Sequence, residues 1–409
     1  MSTTTGSPSR LRSVRDFRLL WGGAAASMLG ERVAAAGYPL LVVFQGGSPA
    51  TAGLVGFFAL LPVLLLQLPA GVYVDRWDRR QVLLVCDVLG ALALGSVAVA
   101  LAVGELWLPH LLVAAFAEGA VAVFYRLAER AAVRSVVPSA LLPAALSRNE
   151  ARGRAAGLLG QPLGGLLFTS ARWAPFAFTA VAHLTALATL LCLRRPLRAE
   201  GAGTRRGLRA ELGEGLRWLR GQRFLATAVL LVAGTNVLFQ VLSLALVLIV
   251  RGEGGSAVVV GVIGAASGLG GVLGALAGSA VTTRFPPGRV LIAVFAVWSA
   301  VMPVIALVSH PVALGALYAA LSFAGALLNV LAGAYQVSLT PDALQGRVGA
   351  VAGLLSSGAG SLGALLGGLV LAAVGTTAAV LGASAVMLCL TATAAALPAV
   401  RSAGVGGAR

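Results

Sequence analysis

The sequence predicts an all-α membrane protein: twelve transmembrane helices in two six-helix bundles related by a pseudo-two-fold axis. Three observations carry that prediction. Of 409 residues, 58% are hydrophobic and 11% charged, where a soluble globular chain carries about 25% charged residues; mean hydropathy is +0.93. Apolar runs long enough to cross a hydrocarbon core roughly 30 Å thick, which takes about 20 residues per helix, recur twelve times. Short motifs of the first half return in the second at a fixed offset.

In order, the runs cover residues 19–44, 53–74, 82–103, 106–126, 153–170 and 174–193, then 224–250, 257–281, 290–309, 312–335, 348–374 and 377–398. Residues 1–18 carry four arginines and no cleavage pattern, so the first run is expected to stay as an uncleaved anchor. Cytoplasmic loops are enriched in positive charge. With the N-terminus inside, 27 of the 30 basic residues, all Arg, fall on that side; Arg172 and Arg251 fall outside and Arg32 lies in the first run. Both termini, 1–18 and 399–409, are therefore expected in the cytoplasm. The formal charge of +16 is this topogenic signal summed over loops, and no nucleic-acid partner is expected.

The one long polar interval, residues 194–223, holds nine Arg and three Glu. It opens as a Pro/Gly-containing linker and continues as an amphipathic helix with Leu208, Leu212, Leu216 and Leu219 at helical spacing. It divides the chain into bundles 19–193 and 224–398. "VPSAL" at 137–141 returns as "TPDAL" at 340–344, and "GQPLGG" at 160–165 as "GALLGG" at 363–368, both offset by 203. "GVYVDR" at Gly71 is echoed by "GSAVTT" at Gly278. Parallel six-helix repeats predict a secondary transporter whose substrate site lies between them near the bilayer midplane.

Between the second and third runs the chain reads "GVYVDRWDRR". This resembles the signature loop of the major facilitator superfamily, with Gly71, Asp75, Arg76, Arg79 and Arg80 at matching positions and Asp78 replacing the second Gly. Together with "DFRLLWGG" at 16–23 and "PDALQGRVGAV" at 341–351, it is similar to the branch of macrolide and siderophore exporters. The resemblance implies that this loop latches the two halves, which would make Asp75 and Arg79 gating residues. The other reading is a patch that only fixes orientation, although that needs Arg and gains little from acids. Asp75 could also meet the positive end of a neighbouring helix, and the arginines could bridge to acids on adjacent helices.

The eighth run presents Gly270, Gly274 and Gly278 every four residues, with Gly264 and Gly268 in the same rhythm, a bare face for close backbone approach. Gly160, Pro162, Gly164 and Gly165 in the fifth run are the expected partner. "GQPLGGLL" resembles the superfamily's antiporter motif, with its Pro displaced by Gln161; close packing and an antiport role are both open.

Ionisable groups deep in hydrocarbon cost about 2.5–3.5 kcal/mol on insertion scales and are functional candidates by default. Glu31 lies near the centre of the first run, on a face with Ser27, Ala34, Ala35 and Tyr38 that suits a wet cavity. Glu118 is central in the fourth, with Ala114, Ala122 and Tyr125; the superfamily's buried Arg position there is Ala115. Removal from water favours the proton-bound carboxyl, as a proton-coupled carrier requires. The alternative for each is a structural ion pair, Glu31 with Arg32. Asp87, shallower in the third run, is expected to partner the loop arginines.

Asn236, Gln240 and Asn329 either bind a polar substrate or join helices at about 1 kcal/mol each. Trp298 and Phe239 offer apolar or stacking surface. His110, His183 and His310 form no readable triad or zinc set, and Cys86, Cys192 and Cys389 stand alone.

The expected activity is proton-coupled efflux of an amphipathic small molecule (drug, antibiotic or siderophore) by a monomer in a bacterial plasma membrane. The Arg-only usage is that of a GC-rich bacterial genome. An importer of the same fold is the alternative, and a membrane enzyme lacks convergent catalytic groups. No cofactor is expected beyond the proton gradient: a phosphate-binding loop needs a Lys, and the chain has none.

Overall fold

The computed structural model describes residues 14–193, 197, 208–341 and 344–401; the side chains of Asp75, Ser279, Thr282 and residues 208–212 lie outside the description. The expected tails beyond these limits, most of the 194–207 linker and residues 342–343 of the second "PDAL" motif are likewise outside it.

Every described element is helical: α1 (Arg15–Phe44), α2 (Pro49–Arg76), α3 (Arg79–Val103), α4 (Leu108–Val136), a 3-10 turn (Ser139–Leu141), α5 (Leu142–Ser170), α6 (Ala174–Leu191), α7 (Leu208–Gly221), α8 (Arg223–Gly252), α9 (Ala257–Arg284), α10 (Pro287–Ile305), α11 (Pro311–Leu339), α12 (Gln345–Val374), α13 (Thr376–Ala396) and α14 (Pro398–Arg401). Local chemistry sets the boundaries. Ser48 caps α2 by accepting from the Thr51 amide at 3.0 Å, and Asp78 caps α3 by accepting from the Arg80 amide at 2.8 Å. Gly104 ends α3 at a φ of 82°, in the left-handed region that favours glycine.

Among the described residues, eleven helices are long and apolar enough to cross a membrane. The fifth expected span, 153–170, is the exception: its helix α5 starts at Leu142, and Arg148, Glu150, Arg152 and Arg154 occupy the first half of that helix and leave a short apolar remainder. It is nonetheless central to the packing, set between α1 and α9.

Helix pairing repeats along the chain. In the first half α1 packs on α5 and α6, α2 on α4, and α3 on α4 and α6. In the second, α8 packs on α12 and α13, α9 on α11, and α10 on α11 and α13. Two large contacts join the halves, α5 on α9 and α2 on α12, and each is the counterpart of the other. The repeat holds to the residue. Gly160 and Gly164 abut α1 at Arg32 and at Val33 and Ala36; Gly363 and Gly367, 203 positions later, abut α8 at Val237 and Val241. Gly165 meets Gly261 of α9, and Gly368 meets Gly53 of α2.

These seams cover only half of each helix. On α2 and α12 the close approaches run from Gly53 and Gly368 to Leu64 and Gly358; on α5 and α9 they run from Gly165 and Ala257 to Leu158 and Gly268. Beyond those points, toward the end that carries the termini, Gly71, Gly157, Gly271 and Gly353 face open space where a side chain would sit. The halves are thus pressed together at the end away from the termini.

One expectation about the seam changes. Gly270, Gly274 and Gly278 do not face α5; they receive Ala319, Phe323 and Val330 of α11, inside the second half. The face that meets α5 is Gly261, Gly264 and Gly268, against Gln161, Pro162 and Leu158. Glycines spaced by three and four wind around the helix, so one Gly-rich span serves two neighbours.

Candidate functional site: a buried carboxylate and histidine cluster

Three helices of the first half bring three ionisable side chains together. His183, central in α6, points its Nδ1 at Asp87 Oδ1 of α3 (3.0 Å) and its Nε2 at Glu118 Oε1 of α4 (3.3 Å). Ser27 of α1 places its hydroxyl 3.3 Å from Nδ1. All four are buried, Asp87 and His183 at 0% and 1% exposure. Gly90, one turn from Asp87, makes room: a Cβ there would run into the imidazole. A narrow cavity reaches the cluster, lined by Glu31, Glu118, Tyr125, Arg126, Glu129, Arg152 and His183 among others.

Nearer the termini the same cavity wall holds a buried ion pair. Arg152 of α5 lies 3.1 Å from Glu129 of α4, whose other oxygen accepts from Asn149 at 3.0 Å. Arg152 also donates to the Trp21 carbonyl at 3.4 Å and stands over the Trp21 ring at 5.9 Å. Sequence reasoning missed this pair, whose partners are 23 positions apart in two helices.

The expected residues fall in different places. Glu31 is partly exposed on the cavity wall, and Arg32 is exposed. Glu118 is in the cluster. Tyr38 is buried against Phe176, ring centroids 5.6 Å apart, and its hydroxyl is among those without a described partner. Asp87 corrects an expectation: it partners His183 rather than the loop arginines, because its turn of α3 faces α6 and not the surface.

Those arginines bind backbone carbonyls and a serine hydroxyl instead of acids. Arg79 donates to Ser135 Oγ at 3.2 Å and the Ala131 carbonyl at 3.4 Å; Arg80 donates to the Leu190 and Leu191 carbonyls at 3.2 and 3.1 Å. They bind the start of α3 to the C-terminal turns of α4 and α6, where the helix dipole attracts cations. Arg76 is exposed, Gly71 faces open space, and the Asp75 side chain is outside the description.

In the second half, Trp298 is core: it is 4% exposed, stacks on Phe295, meets Phe239 edge-on at 4.9 Å, and donates to the Leu321 carbonyl at 3.0 Å. Asn236 joins α8 to α12 through the Ser356 carbonyl at 2.9 Å, and Gln240 lies beside Gly360. Asn329 is exposed on α11.

His183 was the residue sequence reasoning overlooked. The signal was present, since an ionisable group in mid-span is itself a functional flag; its partners lie 96 and 65 positions away, and only folding joins them.

Twelve-helix packing in two repeated halves, with a polar cluster buried inside one of them, defines a membrane protein of the major facilitator fold. Solved structures agree in fold: a bacterial homolog of the human lysosomal transporter Spinster, inward-facing and unoccupied, has a TM-score of 0.74 at 15% identity, covering 97% of this chain and 98% of that one. The nucleoside transporter NupG has a TM-score of 0.75 at 13% identity, covering 94% and 99%. Residues 5–405 match the family described as transmembrane secretion effector, and the chain belongs to that family. That family is one of multi-pass membrane transporters, not of enzymes. Curated relatives include the multidrug efflux pump Tap of Mycobacterium bovis and of Mycobacterium tuberculosis, each 31% identical over 211 residues, 48% of this chain and 49% of theirs. The match spans about half the length of those relatives.

Proposed function

We propose that the protein is a proton-driven exporter of an amphipathic small molecule, working as a monomer by alternating access in a bacterial plasma membrane with both termini cytoplasmic. The observation that carries this reading is the pair of matching half-length seams between α5 and α9 and between α2 and α12. Two bodies, residues 19–193 and 224–398, joined by the 194–223 linker, rock about the midpoint; the present state is open toward the cytoplasm. The distant likeness to efflux pumps favours export, and the cytoplasmic excess of Arg supports the orientation.

In this reading the Asp75 to Arg80 turn latches the halves when the cytoplasmic side closes, with Asp75 and Arg79 as gating residues. Exposed Asn329 of α11, with Asn236 and Gln240 of α8, supplies polar contacts to the cargo, and Glu31 and Glu118 handle protons in the first half. Transport by proteoliposomes under an imposed pH gradient, across a panel of lipophilic drugs and siderophores, tests it. Accumulation that needs the gradient and falls in Glu31→Gln is expected; equal movement with and without a gradient would overturn proton coupling, and no movement of any compound would overturn export.

A further inference from the structure

We propose that Asp87, Glu118 and His183 form one proton-binding unit, bridged by the imidazole, that takes up and releases a single proton per transport cycle. Its purpose rests on the exporter reading above; its chemistry rests on geometry. Each imidazole nitrogen faces one carboxylate oxygen, so each of the two bridges has room for one proton. Two protons on the three groups satisfy both bridges. They sit either as an imidazolium between two carboxylates or as a neutral imidazole that donates to one carboxylate and accepts from the other as its acid. Both forms have a net charge of −1.

Asp87 Oδ2 and Glu118 Oε2 are buried and have no hydrogen-bond partner among the described residues. A third proton therefore has a place to bind as a carboxyl O–H, and it brings the unit to zero charge. Nothing is oxidised or reduced: the proton comes from water and returns to water. A net charge sealed from water costs more than a neutral unit that keeps both imidazole bridges. The protonated unit suits a sealed state and the charged unit a state open to water, which ties the proton to the conformational equilibrium.

The neighbouring groups leave that charge standing. Glu129 is neutralised by Arg152, and Arg126 is exposed. Cys86, Tyr38 and Tyr125 contribute a thiol and two hydroxyls, and Ser27 a hydroxyl. Glu31, across the cavity, adds a second carboxylate in partial contact with solvent. The cavity from exposed Arg126 to His183 supplies the proton route on the side of the termini.

Two measurements on the full-length protein test the unit. The first is infrared difference spectroscopy of purified protein on acidification. Wild type should show the C=O stretch of a buried protonated carboxyl, Asp87→Asn and Glu118→Gln should each shift or remove it, and Glu31→Gln should leave it. A band unaltered by both cluster variants overturns the proposal, whatever the transport result.

The second uses ethidium, a monovalent lipophilic cation, in proteoliposomes. One proton exchanged for one such cation is electroneutral, so a pH gradient should support about tenfold accumulation per pH unit, and a potassium diffusion potential alone should support none. His183→Gln should lose gradient-driven accumulation and keep ethidium counterflow. Accumulation driven by the potential alone overturns the single-proton count. Loss of counterflow and accumulation together in all three cluster variants marks a structural role and also overturns the proposal. Wild type that moves ethidium in neither mode counts against the exporter reading, and the infrared result then decides the unit by itself.

Discussion

Gly53 and Gly368 cross backbone to backbone: a Cβ on Gly53 would stand 2.6 Å from Gly368 Cα. Neither neighbour is a flexible side chain that can swing away. The two glycines fix how closely α2 and α12 approach, and with Gly165 and Gly261 they hold the closed end of the protein.

Gly368→Val therefore wedges that end open. An overpacked contact costs about 1–3 kcal/mol, which shifts an equilibrium by roughly five- to 150-fold. A cysteine at Leu64, in a background lacking Cys192 and Cys389, should become reactive to an impermeant thiol reagent applied on the side away from the termini. Gly353→Val, where open space awaits the side chain, should leave that labelling unchanged.

The Arg152 and Glu129 pair is buried on both sides, and removing one partner from such a pair costs about 3–5 kcal/mol because the other charge is stranded. Arg152→Met should lower the thermal unfolding midpoint of the purified protein markedly. Arg152→Met combined with Glu129→Met should recover most of the loss, an outcome that a purely steric effect would not give.

Trp298 should report on stability and not on cargo. Its ring is locked between Phe295 and Phe239, and truncating a buried aromatic costs about 3–5 kcal/mol. Trp298→Ala should unfold at lower temperature with an unchanged order of transported compounds. Asn329→Ala, at an exposed position, should do the reverse, raising KM for polar cargo at constant midpoint.

Helix α7 is held chiefly by its apolar side. Leu219 is 2% exposed among Leu225, Val229, Val348 and Val351, whereas the Glu214 to Arg347 ion pair, 2.6 Å long, is partly solvated. Leu219→Ala should cost about 2–5 kcal/mol, while Glu214→Gln should change stability by about 0–1 kcal/mol. Hydrogen exchange of the α7 amides in both variants checks the contrast.

Much of this protein was written locally. Hydropathy gave the spans because lipid imposes one length on each, and the repeat was visible because Gly160, Gly164 and Gly165 recur as Gly363, Gly367 and Gly368 with the same contacts. The fifth span was legible as apolar but not as a helix whose charged first half carries a buried Arg. Glycine spacing announced close packing in α9, yet it could not say that alternate faces serve α5 and α11. Glu118 and Asp87 stood out as acids in hydrocarbon, but Glu118 had no partner to read beside it and Asp87 was assigned to the loop arginines.

The sequence by itself determined the class: a duplicated helical membrane chain, because the length of an apolar run and the period of a motif are properties of a line of residues. Tertiary structure alone decided the chemistry. Whether Asp87 faces a surface arginine or a buried imidazole depends on how α3 is turned against α6, and that rotation is set by packing among helices distant in the chain.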